Sequence, residues 1–140
     1  MEIKIIKKED PEIANLIEKE KKRHQETLNL VASENYPSKA VRETLSSIFV
    51  IKYSEGRPFK RYYGGTENID KLESLVEERV RKVFNLNKNW AVNVQPYSGS
   101  PANYAVLRGL LSPGDKIMSL ALPHGGHLSQ GAKVSLSGQD

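Results

Sequence analysis

The chain has 140 residues, of which 38% are hydrophobic and 27% charged, so one folded core can form while some apolar surface is left for another subunit or a further segment to cover. The net charge of +4 arises from Lys and Arg interleaved with acidic residues, which argues against a nucleic-acid partner. Cysteine is absent, which excludes disulfides and thiolate chemistry, and no long apolar run or signal peptide occurs, which favours a cytoplasmic protein without a membrane partner.

Two elements are predicted at the N-terminal end. Residues 1–8 alternate apolar and basic side chains, a pattern that predicts a short edge strand or a loose tail. Asp10 followed by Pro11 is a helix start, with a capping side chain and then proline at the first helical position. Residues 18–23 of this helix are charged all round, so we expect it to lie across a surface, such as that of a partner subunit.

The next stretch combines a short helix with a long loop. Residues 38–46 are predicted to be helical, with Ala40, Val41 and Leu45 facing inward. Residues 52–65 show no periodicity and contain three Tyr, four cations, three Gly and a Pro, which predicts an irregular loop. Its density of aromatic rings favours a binding surface over a solvent-exposed connector.

A regular helix is predicted from Thr66, as its N-cap, through Phe84. One face is apolar, formed by Ile69, Leu72, Val76, Val80 and Val83. Acidic Asp70 and Glu73 lie early in the helix and basic residues lie late, which matches the helix dipole. We therefore assign these charges a structural role.

The remaining sequence predicts a strand, a helix and a second strand. Residues 91–94 and 116–122 have strand composition, and the intervening helix is predicted to begin with Ser100 as N-cap and Pro101 at its first position. Short connections between these elements indicate a right-handed parallel crossover, which is the repeating unit of an α/β sheet.

Each of these strands is followed by a loop with binding chemistry. The Ser98 and Ser100 hydroxyls and the unpaired N–H groups of the helix start favour a phosphate, although most such turns bind only water and that alternative stays open. Residues 123–129 follow the second strand, so both loops can face one ligand, with an imidazole against a planar cofactor. His124 and His127 have no Cys or carboxylate near them in sequence, and we expect no metal.

Five motifs, in order and with similar spacing, resemble those of one enzyme family from about residue 11 to the end. They are Val31–Asn35, Lys52–Gly56, Arg61–Gly65, Gln95–Ser100 and His124–Leu128. Together they resemble serine hydroxymethyltransferase, a pyridoxal-phosphate (PLP) enzyme of the aspartate-aminotransferase fold type.

The resemblance implies an α/β fold, the N-terminal part of a fold-type I PLP-dependent transferase with an incomplete parallel-type sheet and helices. Residues 1–37 would form an N-terminal helical arm, and residues 38–140 the first part of the large PLP-binding domain. Tyr97 and Pro101 look closer to archaeal or eukaryotic members than to typical bacterial ones.

The resemblance also assigns roles to individual positions. The cofactor would be held at its phosphate by Ser98, Gly99 and Ser100, with His127 stacked on the pyridine ring and Tyr53 contributing from a neighbouring subunit. Ser33 would position the amino-acid substrate. The reduced pterin would touch Leu122, Gly125, Gly126 and Leu128.

The catalytic residues implied are Glu55, Tyr63 and His127. Glu55 and Tyr63 would reach into the site of the neighbouring subunit, because family members form a homodimer with shared sites. Glu55 would act as acid and base at the serine hydroxymethyl oxygen or at the forming carbinolamine, by a retro-aldol or a direct-displacement route.

The implied activity is the reversible conversion of serine and a tetrahydropterin into glycine and the methylene-tetrahydropterin through a PLP aldimine. The pterin would be tetrahydrofolate or tetrahydromethanopterin. The family's Asp-x-Ala-His and Thr-Thr-Thr-His-Lys motifs and a later substrate-binding Arg do not occur in these 140 residues. We therefore expect an N-terminal fragment that is inactive alone.

Two other interpretations remain open. One is a different fold-type I PLP enzyme, such as a threonine aldolase or a sugar aminotransferase, against which Lys52–Gly56 and Arg61–Gly65 argue. The other is a stand-alone, basic, non-catalytic module that binds RNA or a partner protein.

Overall fold

The computed structural model describes residues 3–139, which form two compact units, one ending at Tyr53 and the other beginning at Ser54. Helices dominate both, and the strands within the described residues belong to one small hairpin. No helix described between residues 3 and 139 is long and apolar enough to cross a bilayer. The predicted division of the complete protein between residues 37 and 38 stays a prediction.

The first unit begins with two consecutive helices, α1 (Lys4–Glu9) and α2 (Pro11–Glu26). The strand or tail predicted for residues 1–8 is wrong for its described part, and residues 1 and 2 lie outside the described residues. Ile3 and Ile6 are half-buried at a spacing of three, which is a helical period, while the alternation that suggested a strand spans too few residues to decide.

The start of α2 is confirmed. The Asp10 carboxylate accepts a hydrogen bond from the Ile13 N–H at 3.0 Å, and Pro11 occupies the first helical position. Ala14 is buried, and it is the one buried apolar residue of the described chain. The charged middle of α2 is exposed, as expected.

Helix α3 (Lys39–Leu45) is also confirmed, with the Ser38 Oγ accepting from the Val41 N–H at 3.3 Å. Its predicted inward face is wrong. Ala40, Val41 and Leu45 are exposed, because no described element of the first unit covers them. A 3₁₀ turn, Ile48–Ile51, follows α3.

The second unit begins with an antiparallel hairpin inside the segment predicted to be irregular. Strand β1 (Gly56–Arg57) pairs with β2 (Lys60–Arg61), and the turn between them places Phe59 at φ +63°. That conformation is unfavourable for a residue with a side chain. The hairpin was not predicted because two-residue strands carry no detectable alternation.

Helix α4 (Glu67–Val83) follows, with Thr66 as N-cap and Phe84 as C-cap. The Thr66 hydroxyl makes no capping bond but lies 3.4 Å from the Asp70 carboxylate. At the other end, Asn85 adopts φ +51°, and the N–H of Leu86 donates to the Arg81 carbonyl at 2.8 Å, which is a Schellman arrangement.

The best-buried face of α4 is polar. Thr66, Asp70 and Glu77 are buried, whereas the predicted apolar face is half-buried at best and Val83 is exposed. Helical spacing therefore identified the helix correctly but not the side that packs within this unit. The reason is a set of ion pairs with the hairpin.

Two arginines of the hairpin pair with the buried carboxylates of α4. Arg61 donates from Nε to Asp70 and from Nη2 to Glu73, each at 2.7 Å, and only 2% of its side chain is exposed. Arg57 donates from Nη2 to Glu77, also at 2.7 Å. The structural role assigned to the acidic residues Asp70 and Glu73 is confirmed by these contacts.

Helix α5 (Gly99–Leu110) completes the regular structure, followed by 3₁₀ turns at Leu122–His124 and Leu136–Gly138. Its N-cap is Ser98, two residues before the predicted N-cap, Ser100. The strands predicted at 91–94 and 116–122, and with them the parallel crossover, are wrong for the described residues. Strand composition produces a strand only where a neighbouring strand accepts its main-chain hydrogen bonds, and these two segments do not pair.

Much apolar surface is exposed, as the low content of hydrophobic residues, 38%, predicted. Large apolar side chains such as Leu28, Met118 and Val134 are mostly exposed.

We predict that Phe59→Gly stabilises the second unit by about 0.5 kcal/mol, because glycine adopts positive φ without the steric cost that phenylalanine meets there. Urea unfolding followed by circular dichroism measures the change. Phe59→Ala is the matched control, since it removes the exposed ring but keeps the Cβ atom. An equal gain in both variants would show that the ring, and not the backbone conformation, is responsible.

We also predict a pH dependence of stability that requires Asp70. The Arg61 guanidinium holds the pKa of the Asp70 carboxyl below its ordinary value, assisted by a hydrogen bond from the Phe59 backbone. This carboxylate therefore stabilises the fold fully above its unfolded pKa of about 4, and the contribution is lost as the pH falls through the lower folded value. The free energy of unfolding, measured with urea at a series of pH values from 7 to 2, should fall less for Asp70→Asn than for the wild-type chain.

Candidate functional site

The start of α5 presents the small residues predicted to hold a phosphate. Ser98, Gly99 and Ser100 are exposed, and the Ser98 side chain makes no capping hydrogen bond. Because the first N–H groups of a helix have no partner within it, the N–H groups of Gly99 and Ser100 remain available, while Pro101 has none to offer. The two hydroxyls and two amides form a set of donors suited to an anion.

His127 is held by Ser129. The Ser129 backbone N–H donates to the His127 Nδ1 at 3.1 Å, and the Ser129 Oγ lies 2.7 Å from the same nitrogen. Ser129 is buried, and its Oγ accepts a hydrogen bond from the Asn103 Nδ2 at 2.8 Å. Asn103 belongs to α5, so this chain of bonds ties the imidazole to the helix that starts at Ser98–Ser100.

These bonds determine the tautomer of His127. A backbone N–H can only donate, so Nδ1 must be the accepting nitrogen and the ring proton lies on Nε2. The Ser129 hydroxyl then also donates to Nδ1, which is consistent with its role as acceptor from Asn103. The outcome is an imidazole with a defined orientation.

A cavity of about 380 Å³ joins the two loops that the sequence predicted to face one ligand. The α5 side contributes Tyr97, Ser100 and Tyr104, and the other side contributes Leu128 and Ser129. The structure therefore brings together the first loop and the loop after residue 122, even though the parallel strands expected to place them there are not formed.

The Gly-Gly pair of the second loop has a backbone function. Gly125 has φ +94° and ends the 3₁₀ turn, and a Cβ atom on Gly126 would overlap the Leu120 carbonyl oxygen. Leu122 and Leu128 lie on either side of the pair, each about half exposed at 49%. These two side chains are open to an apolar ligand.

Glu55 and Tyr63 lie at the open end of the hairpin. Glu55 immediately precedes β1, and its carbonyl accepts from the Tyr62 N–H at 3.2 Å, which places Tyr63 next to this pair. The Glu55 side chain is exposed and makes no hydrogen bond or ion pair with any described residue. A carboxylate with no internal partner can exchange protons with a substrate.

Ser33 and Tyr53 belong to the first unit. Ser33 is exposed within a turn that the Glu34 N–H closes by donating to the Val31 carbonyl at 3.1 Å. Tyr53 is the last residue of that unit and is 65% exposed.

Four residues that support the site were given no role from the sequence: Asn103 and Ser129, and also Arg61 and Gln95, which entered only as the first residues of two motifs. Asn103 follows Ser100 by three positions on one helix, and that spacing was the available signal for it. The partners of Arg61 and Gln95 lie up to 39 residues away, so no local pattern identifies them. Within residues 3–139, no three His, Asp or Glu side chains gather as a metal site would require.

The chain matches the family model described as serine hydroxymethyltransferase over residues 6–139. It is 53% identical over 134 residues to a serine hydroxymethyltransferase of Desulfotalea psychrophila, with 96% of this chain and 31% of the relative covered. It is 54% identical over 134 residues to one from Helicobacter hepaticus, covering 96% of this chain and 32% of the relative.

A plant protein is equally similar. The chain is 56% identical over 133 residues to serine hydroxymethyltransferase 3, chloroplastic, of Arabidopsis thaliana, covering 92% of this chain and 25% of the relative. These bacterial and plant relatives lend no support to the archaeal affinity expected from Tyr97 and Pro101. The chain spans about a quarter to a third of the length of these curated relatives. Its match over nearly every residue shows that the chain belongs to the serine hydroxymethyltransferase family.

Proposed function

We propose that this chain is the N-terminal part of a PLP-dependent glycine hydroxymethyltransferase, which interconverts serine and glycine and passes the hydroxymethyl carbon to a reduced pterin. The observation that carries the proposal is the connection between the Ser98–Ser100 helix start and His127 through Asn103 and Ser129. This connection places hydrogen-bond donors for a phosphate and an oriented aromatic ring in the same unit. The donors would bind the phosphate of PLP, and the aromatic ring would stack on its pyridine ring.

The residues present fit the cofactor. Ser98 and Ser100 offer hydroxyls that the helix does not use for capping, and the amides of Gly99 and Ser100 point from the positive end of the helix dipole. A phosphate monoester carries up to two negative charges and matches these donors. When bound, PLP supplies the electron sink that makes bonds at the amino-acid α-carbon labile.

His127 serves as the stacking partner for the pyridine ring. Its Nδ1 is bound by Ser129, so the ring is held in one orientation with a flat face available. We assign Ser129 and Asn103 the role of holding this ring in place.

Glu55 moves the proton at the serine hydroxymethyl oxygen, with Tyr63 beside it. Tyr53 contributes to the cofactor and Ser33 to the amino-acid substrate. We propose that Tyr53, Glu55 and Tyr63 act on the neighbouring subunit's site in a homodimer. The large exposed apolar surface supports an assembly, because such surface is normally covered.

The pterin lies against Leu122, Gly125, Gly126 and Leu128. Two half-exposed leucines and a closely packed Gly-Gly backbone offer an apolar, flat surface to a fused ring system. We propose tetrahydrofolate as this cosubstrate, tetrahydromethanopterin being the alternative, and the cytoplasm as the compartment. These 140 residues alone are expected to be inactive, because they contain neither the Schiff-base Lys motif nor the Asp motif of the family.

The function is tested in the complete protein that carries this chain, loaded with PLP. We predict conversion of serine to glycine that depends on tetrahydrofolate, and a loss of about 10²–10⁴-fold in kcat for Glu55→Gln, since that change removes a proton-transfer group. PLP binding should be unchanged in this variant. A complete protein that leaves serine intact with both tetrahydrofolate and tetrahydromethanopterin would refute the assignment.

The role of Ser129 yields a separate prediction. Ser129→Ala removes the hydroxyl donor to His127, so PLP should bind about 3- to 10-fold more weakly, as expected for the loss of one hydrogen bond. Fluorescence titration of the complete apoprotein with PLP measures this.

Ser135→Ala is the matched control, because Ser135 lines the same cavity but its hydroxyl bonds, among the described residues, to Ala132 and Ser137 and not to His127. Equal weakening by both substitutions would contradict a specific role for Ser129. In ¹⁵N NMR, only Ser129→Ala should alter the His127 ring-nitrogen shifts.

A further inference from the structure

We propose that Arg61 is a positioning residue for Glu55, which it holds through the peptide carbonyls on either side of that glutamate. This inference rests on the proposed function of Glu55 as the group that moves a proton. It assigns a reaction role to an arginine that otherwise looks like part of a structural ion-pair network.

Hydrogen bonds hold the main chain on both sides of Glu55. Arg61 Nη1 donates to the Ser54 carbonyl at 2.8 Å and to the Gly56 carbonyl at 2.6 Å. The Glu55 carbonyl between them accepts from the Tyr62 N–H at 3.2 Å. Three consecutive peptide carbonyls are therefore bound, and the backbone that carries the Glu55 side chain cannot rotate without breaking at least one of these bonds.

The guanidinium that makes these contacts is itself fixed by α4. Its Nε donates to Asp70 and its Nη2 to Glu73, each at 2.7 Å, and its side chain is 2% exposed. Both carboxylates belong to one helix, so they move together. A planar guanidinium with donors in a fixed fork can satisfy two carboxylates and two carbonyls at once, whereas a lysine ammonium has three donors and no plane.

Glu55 needs external restraint because of its surroundings. Its side chain has no bond to any described residue, and the residue after it, Gly56, has φ +102°. Glycine is the most flexible residue, so nothing in the local sequence holds the glutamate in one position. A Cβ atom on Gly56 would overlap the Lys60 carbonyl oxygen, which excludes a stiffer residue there.

Gln95 extends the same arrangement toward the cofactor. Its Nε2 donates to the Gly56 carbonyl at 2.7 Å and to Glu73 at 2.9 Å. Gln95 lies three residues before Ser98, where the phosphate-binding residues begin. The Glu55 backbone and the segment that leads to the cofactor site thus share one carboxylate of α4, that of Glu73, as a common support.

Arg57 provides a matched control within the same hairpin. It also pairs with α4, through Glu77 at 2.7 Å and Glu73 at 3.9 Å, and its Nη2 lies 3.4 Å from the Val92 carbonyl. No described contact joins it to a carbonyl beside Glu55. Arg57→Lys therefore perturbs the same helix and the same charge balance without touching the glutamate backbone.

The experiment compares four variants of the complete, PLP-loaded protein. Arg61→Lys should lower kcat for tetrahydrofolate-dependent serine cleavage by about 10- to 100-fold, as expected when two charge-assisted hydrogen bonds are lost, with KM for serine and PLP affinity within about twofold of wild type. Arg57→Lys should keep kcat within about twofold. In a Glu55→Gln background, Arg61→Lys should cause no further loss, because a positioning residue acts only through the residue it positions.

Hydrogen exchange gives a readout independent of activity. The Tyr62 amide, which donates to Glu55, should exchange about tenfold faster in Arg61→Lys and unchanged in Arg57→Lys. If Arg61→Lys does not fold, Gln95→Ala replaces it, because it removes one bond to Gly56 and leaves the buried ion pairs intact; its effect should have the same sign and be smaller.

Three results would overturn the proposal. The first is a multiplicative loss of kcat when Arg61→Lys is combined with Glu55→Gln. The second is an equal loss from Arg57→Lys, and the third is a full kcat in Arg61→Lys. A wild-type kcat in Glu55→Gln would instead refute the proposed function of Glu55 itself, so the two failures are distinguishable.

Discussion

The second unit depends on one buried guanidinium. Arg61 uses Nε, Nη1 and Nη2 at the same time, binding Asp70 and Glu73 of α4 together with two carbonyls next to Glu55. Charges are removed from water only when partners replace the lost hydration, and here four acceptors do so. The helix, the hairpin and the residue proposed for proton transfer are consequently positioned by a single side chain.

Most surface helices bury their apolar face and expose their charged face, whereas α4 does the opposite within its unit. The carboxylate side of α4 is buried in its unit, and the apolar side, including Val83, is half-buried or exposed. A buried ion pair contributes little net stability compared with apolar packing, but it specifies geometry, because removing one member leaves an unpaired charge. We infer that α4 serves two surfaces, a polar one that orders the hairpin and an apolar one available for assembly.

Capping residues and helical spacing correctly predicted the elements that depend on neighbouring residues in the sequence. Asp10 accepts the expected capping hydrogen bond, and α2, α3 and α4 begin within a residue of their predicted starts, although Thr66 makes no capping bond through its side chain. The wrong predictions include residues 4–9, where a short apolar pattern fitted two periods, and the segments 91–94 and 116–122, where strand formation needs a partner strand. They also include the inward face of α3 and the absence of regular structure in 52–65. The site divides in the same way, since the motif residues were identified from sequence but the contacts that hold them in place were not.

The sequence by itself determined the family, helices α2 to α5 and the residue types at the site, because these follow from short motifs, capping chemistry and helical spacing. Only the tertiary structure decided that the polar face of α4 is buried, that Asn103 and Ser129 orient His127, and that Arg61 holds the backbone around Glu55. Each of these depends on side-chain contacts that no local sequence pattern specifies, or on which of two competing faces is covered. The direction and length of a hydrogen bond depend on atomic positions, which composition and periodicity do not predict.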